Sequence, residues 1–345
     1  MFLQQQKQQM KLRKLRLQNR NFIKGGIRYI LLSLFFPIYL LSDAHIFVFH
    51  RFGDDRHEST NTSLKELKRE FDFLKTNGYK VIKLSTLINA LKNHKKIDDK
   101  WVVLTIDDNF KSFYQNGFDL FKKYGYPFSL FVYVEATDKK YSDYTTWKEL
   151  KEIAKFADVE YHSYSHPHMT YKCDDFLKAD FKKGLKLFEK HMGYKPRYFA
   201  YPYGEFNDRV KKLSKEFGFE AILAQNIGAV SKDSDIYALN RNALTGKANL
   251  KRALRYKQLK LSWISPKNYP KNGILKHISA KLDTNKSINV GCYITKMGWR
   301  SVKTKNGKID ILLDKKLQKG RNRIVIGVKN KIYTKLLIKD KNECK

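Results

Sequence analysis

Two adjacent carboxylates close the apolar run VVLTIDDNF at 102–110, and they are the first residues here that suggest chemistry. Four apolar or β-branched residues lead directly into Asp107 and Asp108. Like charges side by side at the end of a buried strand are unfavourable unless positive charge lies beside them. A divalent metal ion would supply that charge. The pair therefore predicts one metal-ligating carboxylate and one carboxylate free to act as a base.

Histidines with matching spacing occur at 160–168, in the stretch EYHSYSHPH. His162 and His166 are four residues apart, and Pro167 favours a loop over a helix at this point. Two imidazoles and one carboxylate make a three-ligand site that leaves positions open, as in catalytic zinc centres. Such a metal can lower the pKa of a bound water to about 7, within reach of a nearby carboxylate base. Zinc is the expected metal, and Co²⁺, Ni²⁺ or Fe²⁺ would suit the same ligands.

Alternating strands and amphipathic helices must position these side chains. Between the strands, apolar residues recur at helical spacing and several runs close with glycine. This pattern predicts an α/β fold, a distorted (β/α) barrel of about seven units with its chemistry at the carboxyl ends of the strands. Apolar strands are predicted at 45–50, 81–84, 101–106, 127–134, 159–161, 197–201 and 219–225.

A different pattern follows the barrel. From 256 to 345 short strands alternate with turn signals such as KNGK and KGRN, which predicts a small antiparallel, sandwich-like β domain. The predicted organisation is thus an N-terminal segment 1–44, a catalytic domain 45–255 and an accessory β domain 256–345.

The N-terminus has the layout of an export signal. Residues 1–28 carry eight basic residues and no acid, 29–41 are uncharged and apolar, and Ser42-Asp43-Ala44 resembles a cleavage site. The apolar run is short for a membrane span of about 20 residues. We therefore expect either a cleaved signal peptide or a membrane anchor at 29–41, with the rest of the chain in the periplasm or cell envelope.

The formal net charge of +35 favours anionic partners such as a membrane or cell-envelope surface, unless the chain is simply basic throughout. No nucleic-acid-binding signature accompanies that charge, and export argues against such a partner. Three cysteines without a CxxC pair indicate neither a disulfide framework nor a zinc finger.

Three short motifs give the chain a family resemblance. TIDD at 105–108, HSYSH at 162–166 and AYPYG at 200–204 resemble the first three motifs of the family 4 carbohydrate esterases, the polysaccharide deacetylases. The resemblance covers roughly 45–245. The family's first motif is usually TFDDG, so Asn109 stands where glycine is usual. Since Asn tolerates left-handed backbone angles, we expect the turn to be kept.

The resemblance implies a role for each motif residue. Asp107 would be the general base, and Asp108, His162 and His166 would bind the metal. In YPYG, Tyr203 would offer its backbone N–H to the developing oxyanion.

A late LxH motif with a general-acid histidine is missing after Arg241. VFHRF at 48–52 instead resembles the poly-N-acetylglucosamine deacetylase branch, which makes His50 the expected acid, with His57 as its rival. Arg241 falls where that branch places an arginine beside the base; a purely structural ion pair is the alternative.

These residues predict a hydrolase that removes N-acetyl groups from a poly-N-acetylglucosamine-like polysaccharide. Peptidoglycan N-deacetylation and glycan O-acetyl ester hydrolysis use the same chemistry and remain alternatives. A non-catalytic glycan- or cell-surface-binding protein is the alternative of another class. Neither the polymer, its linkage nor the oligomeric state follows from the sequence.

Overall fold

The computed structural model describes residues 42–246 and 248–344 of the 345-residue chain. These residues belong to one compact unit. The expected signal or anchor at 1–41 lies outside the described residues. Within them, no helix has both the length and the apolar character that a membrane crossing requires.

The first part of the chain builds a parallel sheet. Its strands are β1 (His45–Phe49), β2 (Arg51–Phe52), β3 (Asn61–Thr62), β4 (Lys80–Val81), β5 (Trp101–Asp107), β6 (Ser129–Val132), β7 (Asp158–Tyr161), β8 (Tyr198–Ala200), β9 (Ala221–Leu223) and β10 (Asn242–Ala243). β2 and β3 pair only with each other, and the other eight form one sheet in the order β10-β1-β5-β6-β7-β8-β9, with β4 also on β5. The predicted distorted α/β barrel is confirmed.

Helices follow most of the strands. They are α1 (Leu64–Thr76), α2 (Leu84–Lys92), α3 (Phe118–Tyr124), α4 (Val134–Asp138), α5 (Trp147–Ile153), α6 (Asp174–Met192), α7 (Asp208–Lys215) and α8 (Leu250–Ala253). The strand predicted at 81–84 is shorter than expected, because Leu84 already begins α2.

Successive side chains of each strand point to opposite faces of the sheet, so the core consists of two clusters. On β5, Val102, Leu104 and Ile106 pack in the larger cluster with apolar residues of the helices. Val103 belongs to a smaller cluster with Phe131 and the apolar face of α2. Because side chains of a strand alternate between the faces, Asp107 shares the face of Val103. The site residues therefore follow from the strand register.

Residues 236–243 connect the two ends of the sheet. Leu239 donates its N–H to Ile222 O at 3.0 Å and accepts from Ala224 N at 2.9 Å, both at β9. Three residues later, Asn242 pairs with Phe47 of β1. Arg241 lies between these two contacts, so the segment that closes the barrel also carries the predicted arginine.

The C-terminal region is built from antiparallel sheets, as predicted. Its strands are β11 (Lys257–Gln258), β12 (Leu261–Ser265), β13 (Ile274–Leu282), β14 (Asn289–Ile294), β15 (Gly298–Lys303), β16 (Lys308–Lys316), β17 (Asn322–Val328) and β18 (Lys331–Leu337). They form a five-stranded sheet, β11-β18-β17-β14-β15, and a three-stranded sheet, β12-β13-β16; only β11 pairs in parallel. Apolar residues of both sheets share one core. The domain boundary between 255 and 256 remains a prediction.

Several contacts join this region to the barrel. Cys173 and Cys344 form a disulfide, which the cysteine spacing did not predict, while Cys292 is free and buried. Asp43 accepts from Gln258 N at 2.8 Å.

Ala44, just before β1, pairs with Val230 of the barrel through two backbone hydrogen bonds. The expected cleavage point after Ala44 therefore falls among residues that make ordered contacts.

A buried carboxyl on α1 makes the stability of this fold depend on pH. Glu70 is 6% exposed, and its Oε2 is buried with no hydrogen-bond partner in the described part of the chain. Burial, helped by Glu66, raises the pKa of Glu70 to about 8. Between its ordinary pKa near 4.5 and about 8, the folded state holds a proton that the unfolded state releases. The free energy of unfolding therefore falls as pH rises through this window.

We predict that Glu70→Gln raises the free energy of unfolding at pH 8.5 by about 1 to 3 kcal/mol relative to its effect at pH 5. Denaturant titrations at the two pH values measure the difference. Glu216→Gln, on an exposed residue, is the matched control and should show no such dependence. Equal effects of Glu70→Gln at both pH values would contradict the prediction.

Candidate active site

Strand register brings three of the predicted residues to the inner face of the barrel at its carboxyl end. His50 follows β1, Asp107 ends β5 and His162 follows β7. Each is an even number of residues from an inward-facing position on its own strand, namely Ile46, Val103 and Glu160. His162 and Asp107 are buried, with 1% and 2% of their surface exposed. Three separate strands thus converge on one point.

Left-handed backbone turns orient several of the remaining residues. Asp108 has φ 69°, His166 has φ 50° and Tyr203 has φ 58°. Side chains other than glycine rarely adopt such angles, and where they occur they cluster at functional sites. The turn after β5 redirects Asp108 away from Asp107, so that the two carboxylates have different partners.

The three predicted metal ligands come together. Asp108 Oδ1 lies 3.3 Å from His162 Nε2 and 3.0 Å from His166 Nε2. The two Nε2 atoms are 3.3 Å apart. Tetrahedral ligands at 2.0–2.1 Å from zinc would be separated by about 3.3 Å, so a cation of this kind fits the triangle.

The tautomer of His162 is also suited to binding a cation. Its Nδ1 lies 2.7 Å from Ala200 O, and since a carbonyl oxygen can only accept, Nδ1 carries the proton. The Nε2 lone pair then faces Asp108 and His166. Asp108 Oδ1 is buried without a hydrogen-bond partner among the described residues. A lone pair and an unpaired carboxylate oxygen directed at one point are the donor set of a metal site.

Asp107 has a different partner. Arg241 Nη1 donates to Asp107 Oδ1 and Nη2 donates to Oδ2, both at 2.7 Å. Arg241 is fully buried, and its Nε donates to Ala224 O at 2.8 Å. A two-point guanidinium–carboxylate pair fixes the plane of the carboxylate as well as neutralising it. Asp107 Oδ2 is 3.8 Å from His162 Nε2, so the ion pair adjoins the ligand triangle.

The pKa shifts at the site reflect the same need for positive charge. Burial alone would raise the pKa of Asp107, but Arg241 and His162 outweigh it and hold the pKa below its usual value. Burial would also raise the pKa of Asp108, but His166 and His162 hold this pKa well below its usual value. Burial would lower the pKa of His162, but Asp107 and Asp108 raise it. Both carboxylates are therefore ionised.

His50, the predicted general acid, faces the same centre. Its Nδ1 is buried and has no hydrogen-bond partner in the described chain. Burial lowers the pKa of His50 against the opposing influence of Asp108 and Asp107. An unpaired imidazole nitrogen near both carboxylates is free to exchange a proton with a bound molecule.

Its rival, His57, lies in a second cluster with Asp54 and Asp143. Arg51 and Arg56 already pair with both of these carboxylates, at 2.6 to 2.9 Å. The charge of this cluster is therefore balanced without a metal. It fixes the segment that follows His50.

The YPYG turn packs against the histidines of the HSYSHPH segment. Tyr203 stacks on His168, with ring centroids 4.0 Å apart, and contacts the ring of His166 at 4.5 Å. A Cβ on Gly204 would come within 2.6 Å of the backbone nitrogen of Gln225, so the turn requires glycine there. Arg321, from the C-terminal region, donates from Nη1 to Tyr203 O at 2.7 Å. This last contact has no signal in the sequence motifs.

Asn109 is a further residue whose role the sequence only partly indicated. Its φ of 45° confirms the expected left-handed turn. Its side chain is fully buried: Nδ2 donates to Thr137 and Thr145, both at 2.9 Å, and Oδ1 accepts from Tyr133 N at 2.8 Å. Asn109 thus anchors the turn that carries Asp108 to the loops after β6.

Two further aromatic side chains occupy different positions, one in the core and one near the site. Trp147 stacks on His191 and packs against the core. His168 donates from Nδ1 to Glu205 at 2.8 Å and remains at the rim of the site.

The fold and the site thus combine a parallel barrel, a buried carboxylate paired with Arg241, and a His₂-carboxylate triangle beside the YPYG turn. Residues 94–222 match the family model described as polysaccharide deacetylase. The matched range contains the TIDD, HSYSH and AYPYG motifs, which confirms their resemblance to the polysaccharide deacetylases of carbohydrate esterase family 4.

Relatives of the chain carry names from the same family. YxkH of Bacillus subtilis, assigned to the polysaccharide deacetylases, is 27% identical over 53% of this chain and 67% of its own length. The poly-β-1,6-N-acetyl-D-glucosamine N-deacetylase of Escherichia coli K12 is 23% identical over 58% of this chain. The chain spans only about a third of that enzyme, 35%.

A solved structure has the same fold. The deacetylase PplD of Streptococcus pyogenes, in complex with acetate, superposes with a TM-score of 0.56 at 20% identity, over 60% of this chain and 94% of that one. At this identity the match concerns the fold alone.

The metal triangle predicts that His166→Ala abolishes metal binding. We expect close to one equivalent of zinc per chain in the wild type, and its loss when one of three ligands is removed. Metal analysis after dialysis against a weak chelator measures the stoichiometry. His57→Ala, in the arginine-neutralised cluster, is the control and should keep the metal. Metal retained by His166→Ala and lost by His57→Ala would reverse the assignment.

The buried amide predicts a graded loss of stability at Asn109. Asn109→Ala loses three hydrogen bonds and keeps a side chain in a left-handed conformation, so we expect a loss of about 2 to 4 kcal/mol in the free energy of unfolding. Asn109→Gly loses the same bonds without the backbone strain and should be about 1 kcal/mol more stable than the alanine variant. Equal stability of the two variants, measured by denaturant titration, would remove the backbone argument.

Proposed function

We propose that this protein is an exported, metal-dependent hydrolase that removes N-acetyl groups from an aminosugar polysaccharide related to poly-N-acetylglucosamine. The observation that carries the proposal is the pairing of Asp107 with Arg241 beside the triangle of Asp108, His162 and His166. A base and a cation site in direct contact are the elements that amide hydrolysis requires.

Each residue has a separate task. A divalent cation held by the triangle would act as a Lewis acid on the acetyl carbonyl and on the attacking water. Asp107, kept ionised and oriented by Arg241, takes the proton of that water as it attacks. The Tyr203 N–H stabilises the oxyanion that forms on the acetyl oxygen.

His50 completes the reaction. The carbonyl C–O bond forms, the C–N bond breaks, and His50 gives a proton to the departing nitrogen, producing acetate and a free amine. The proton that Asp107 takes from the water passes to His50, whose buried Nδ1 is unpaired within the described residues, and from His50 to the nitrogen, so that the proton balance closes. The amine becomes cationic near neutral pH and changes how the glycan binds other surfaces.

The identity of the polymer is inferred from sequence similarity and not from contacts with a bound glycan. The N-acetylglucosamine assignment rests on the E. coli relative and on VFHRF, which supplies His50. Peptidoglycan and O-acetylated glycans are the other substrates that the same residues would process. We keep zinc as the proposed metal.

Export has two supports besides the N-terminal sequence pattern. The disulfide between Cys173 and Cys344 is typical of oxidising compartments such as the periplasm. Asp43 and Ala44 make ordered contacts, which favours retention of the N-terminal segment as an anchor, or a cut upstream of residue 43, over cleavage after Ala44. Basic residues would assist contact with an anionic envelope surface.

We predict that the purified full-length chain releases acetate from N-acetylglucosamine oligomers, and that Asp107→Asn lowers kcat by at least about 100-fold, because the base is lost. Acetate is quantified for metal-loaded and chelator-treated protein. Asp119→Asn, at an exposed position on α3, is the matched control and should retain activity.

A chain with bound metal that releases no acetate from oligomers, peptidoglycan or O-acetylated glycans would refute the hydrolase. The second candidate, a non-catalytic glycan-binding protein, would then apply, and binding without turnover would identify it.

A further inference from the structure

A small arginine-rich cavity lies beside the catalytic ion pair. It has a volume of about 190 Å³ and is bounded by the loop after β9, by α8 and by the start of β17. Arg241, Arg252 and Arg323 line it, together with the polar side chains of Gln225, Asn249 and Tyr256. Among the described residues, no aspartate or glutamate lines this cavity.

The positive charge in the cavity is not balanced by the protein. Arg241 is neutralised by Asp107, but Arg252 and Arg323 form no ion pair within residues 42–246 and 248–344. Among the residues that the structure describes, Arg323 Nε is buried without a hydrogen-bond partner, and its Nη2 donates to Gln225 O at 3.3 Å. Burial lowers the pKa of Arg323, and Arg321 lowers it further. Arg252 is exposed and can be hydrated, whereas the buried Nε of Arg323 is a donor whose loss of hydration a bound anion would offset.

The cavity is connected to both halves of the candidate active site. Arg241 belongs to its wall and holds Asp107 at 2.7 Å. Gln225 belongs to the same wall, packs against Gly204 of the oxyanion turn and lies 3.5 Å from Arg321 Nη1. A group bound there would therefore contact Arg241, which holds Asp107, and Gln225, which packs against the YPYG turn.

We propose that this cavity is a subsite for a carboxylate or phosphate group, and that the glycan accepted by this protein carries such a group next to the acetylated aminosugar. Arginine suits this task because its planar guanidinium binds carboxylate and phosphate oxygens through two parallel hydrogen bonds. The proposal rests on the proposed function for the identity of the glycan, but the anion site itself does not.

Two probes test the subsite. One is an oligomer that alternates N-acetylglucosamine with glucuronic acid, and the other is a neutral N-acetylglucosamine oligomer of equal length. Calorimetry at constant ionic strength measures the binding of each probe to the full chain. We expect the wild type to bind the acidic oligomer about tenfold more tightly or better, since a hydrogen-bonded charge pair contributes on the order of that factor.

Arg323→Gln and Arg252→Gln should each reduce the acidic-to-neutral preference about tenfold. Arg255→Gln is the matched control, an exposed arginine just beyond α8 that does not line the cavity, and it should keep the preference. Arg323→Lys should restore part of the preference, which a purely structural role of Arg323 would not produce. The ratio of kcat/KM for acetate release from the two probes should follow the binding ratio.

The outcomes separate the two proposals. A binding preference that Arg323→Gln removes, without acetate release from either probe, would support the subsite and refute the hydrolase. Acetate release with no preference between the probes would keep the hydrolase and overturn the subsite. Competition by inorganic phosphate without any preference for the acidic oligomer would mean that the cavity holds a free anion, and it would overturn the glycan assignment.

Discussion

The burial of two neighbouring carboxylates at the end of β5 is the constraint on which the rest of the site depends. Neither Asp107 nor Asp108 can be ionised in this position without a positive partner. The structure gives them different partners, because the chain leaves the strand between them. Asp107 still faces the barrel interior and meets Arg241, while the left-handed turn at Asp108 points its carboxylate at the two histidines.

This separation explains why distant parts of the chain must come together. Arg241 reaches Asp107 only because residues 236–243 join β9 to β1 across the open side of the sheet. The Arg241 guanidinium is held by Ala224 O on one of those strand ends and by Thr105 Oγ1, at 3.2 Å, on β5 itself. The segment that closes the barrel therefore also neutralises Asp107.

The barrel fold and the convergence of the main site residues could be predicted from the sequence, because the periodicity of a strand also indicates which face each side chain occupies. Once β1, β5 and β7 are recognised, their ends place His50, Asp107 and His162 together, and left-handed angles at Asn109 follow from its residue type. The Cys173–Cys344 disulfide could not be predicted, since its partners lie 171 residues apart and share no motif. The same holds for Arg321 and for the cavity wall at Arg323, which depend on how the C-terminal sheets contact the loops after β8 and β9.

Those contacts change the interpretation of the chain's basic character. A net charge of +35 spread over a lysine-rich surface says little about a partner, because exposed ammonium groups are hydrated and interchangeable. The charges near the site are different in kind: Arg241, Arg321 and Arg323 are arginines, they are at least partly buried, and each is directed by a hydrogen bond to a backbone carbonyl. Two of them come from the C-terminal region, Arg321 directly before β17 and Arg323 on it, so this region contributes charge next to the candidate active site. The proposed anion subsite therefore depends on the local, oriented charge of these arginines, which would remain even if the surface lysines were neutralised.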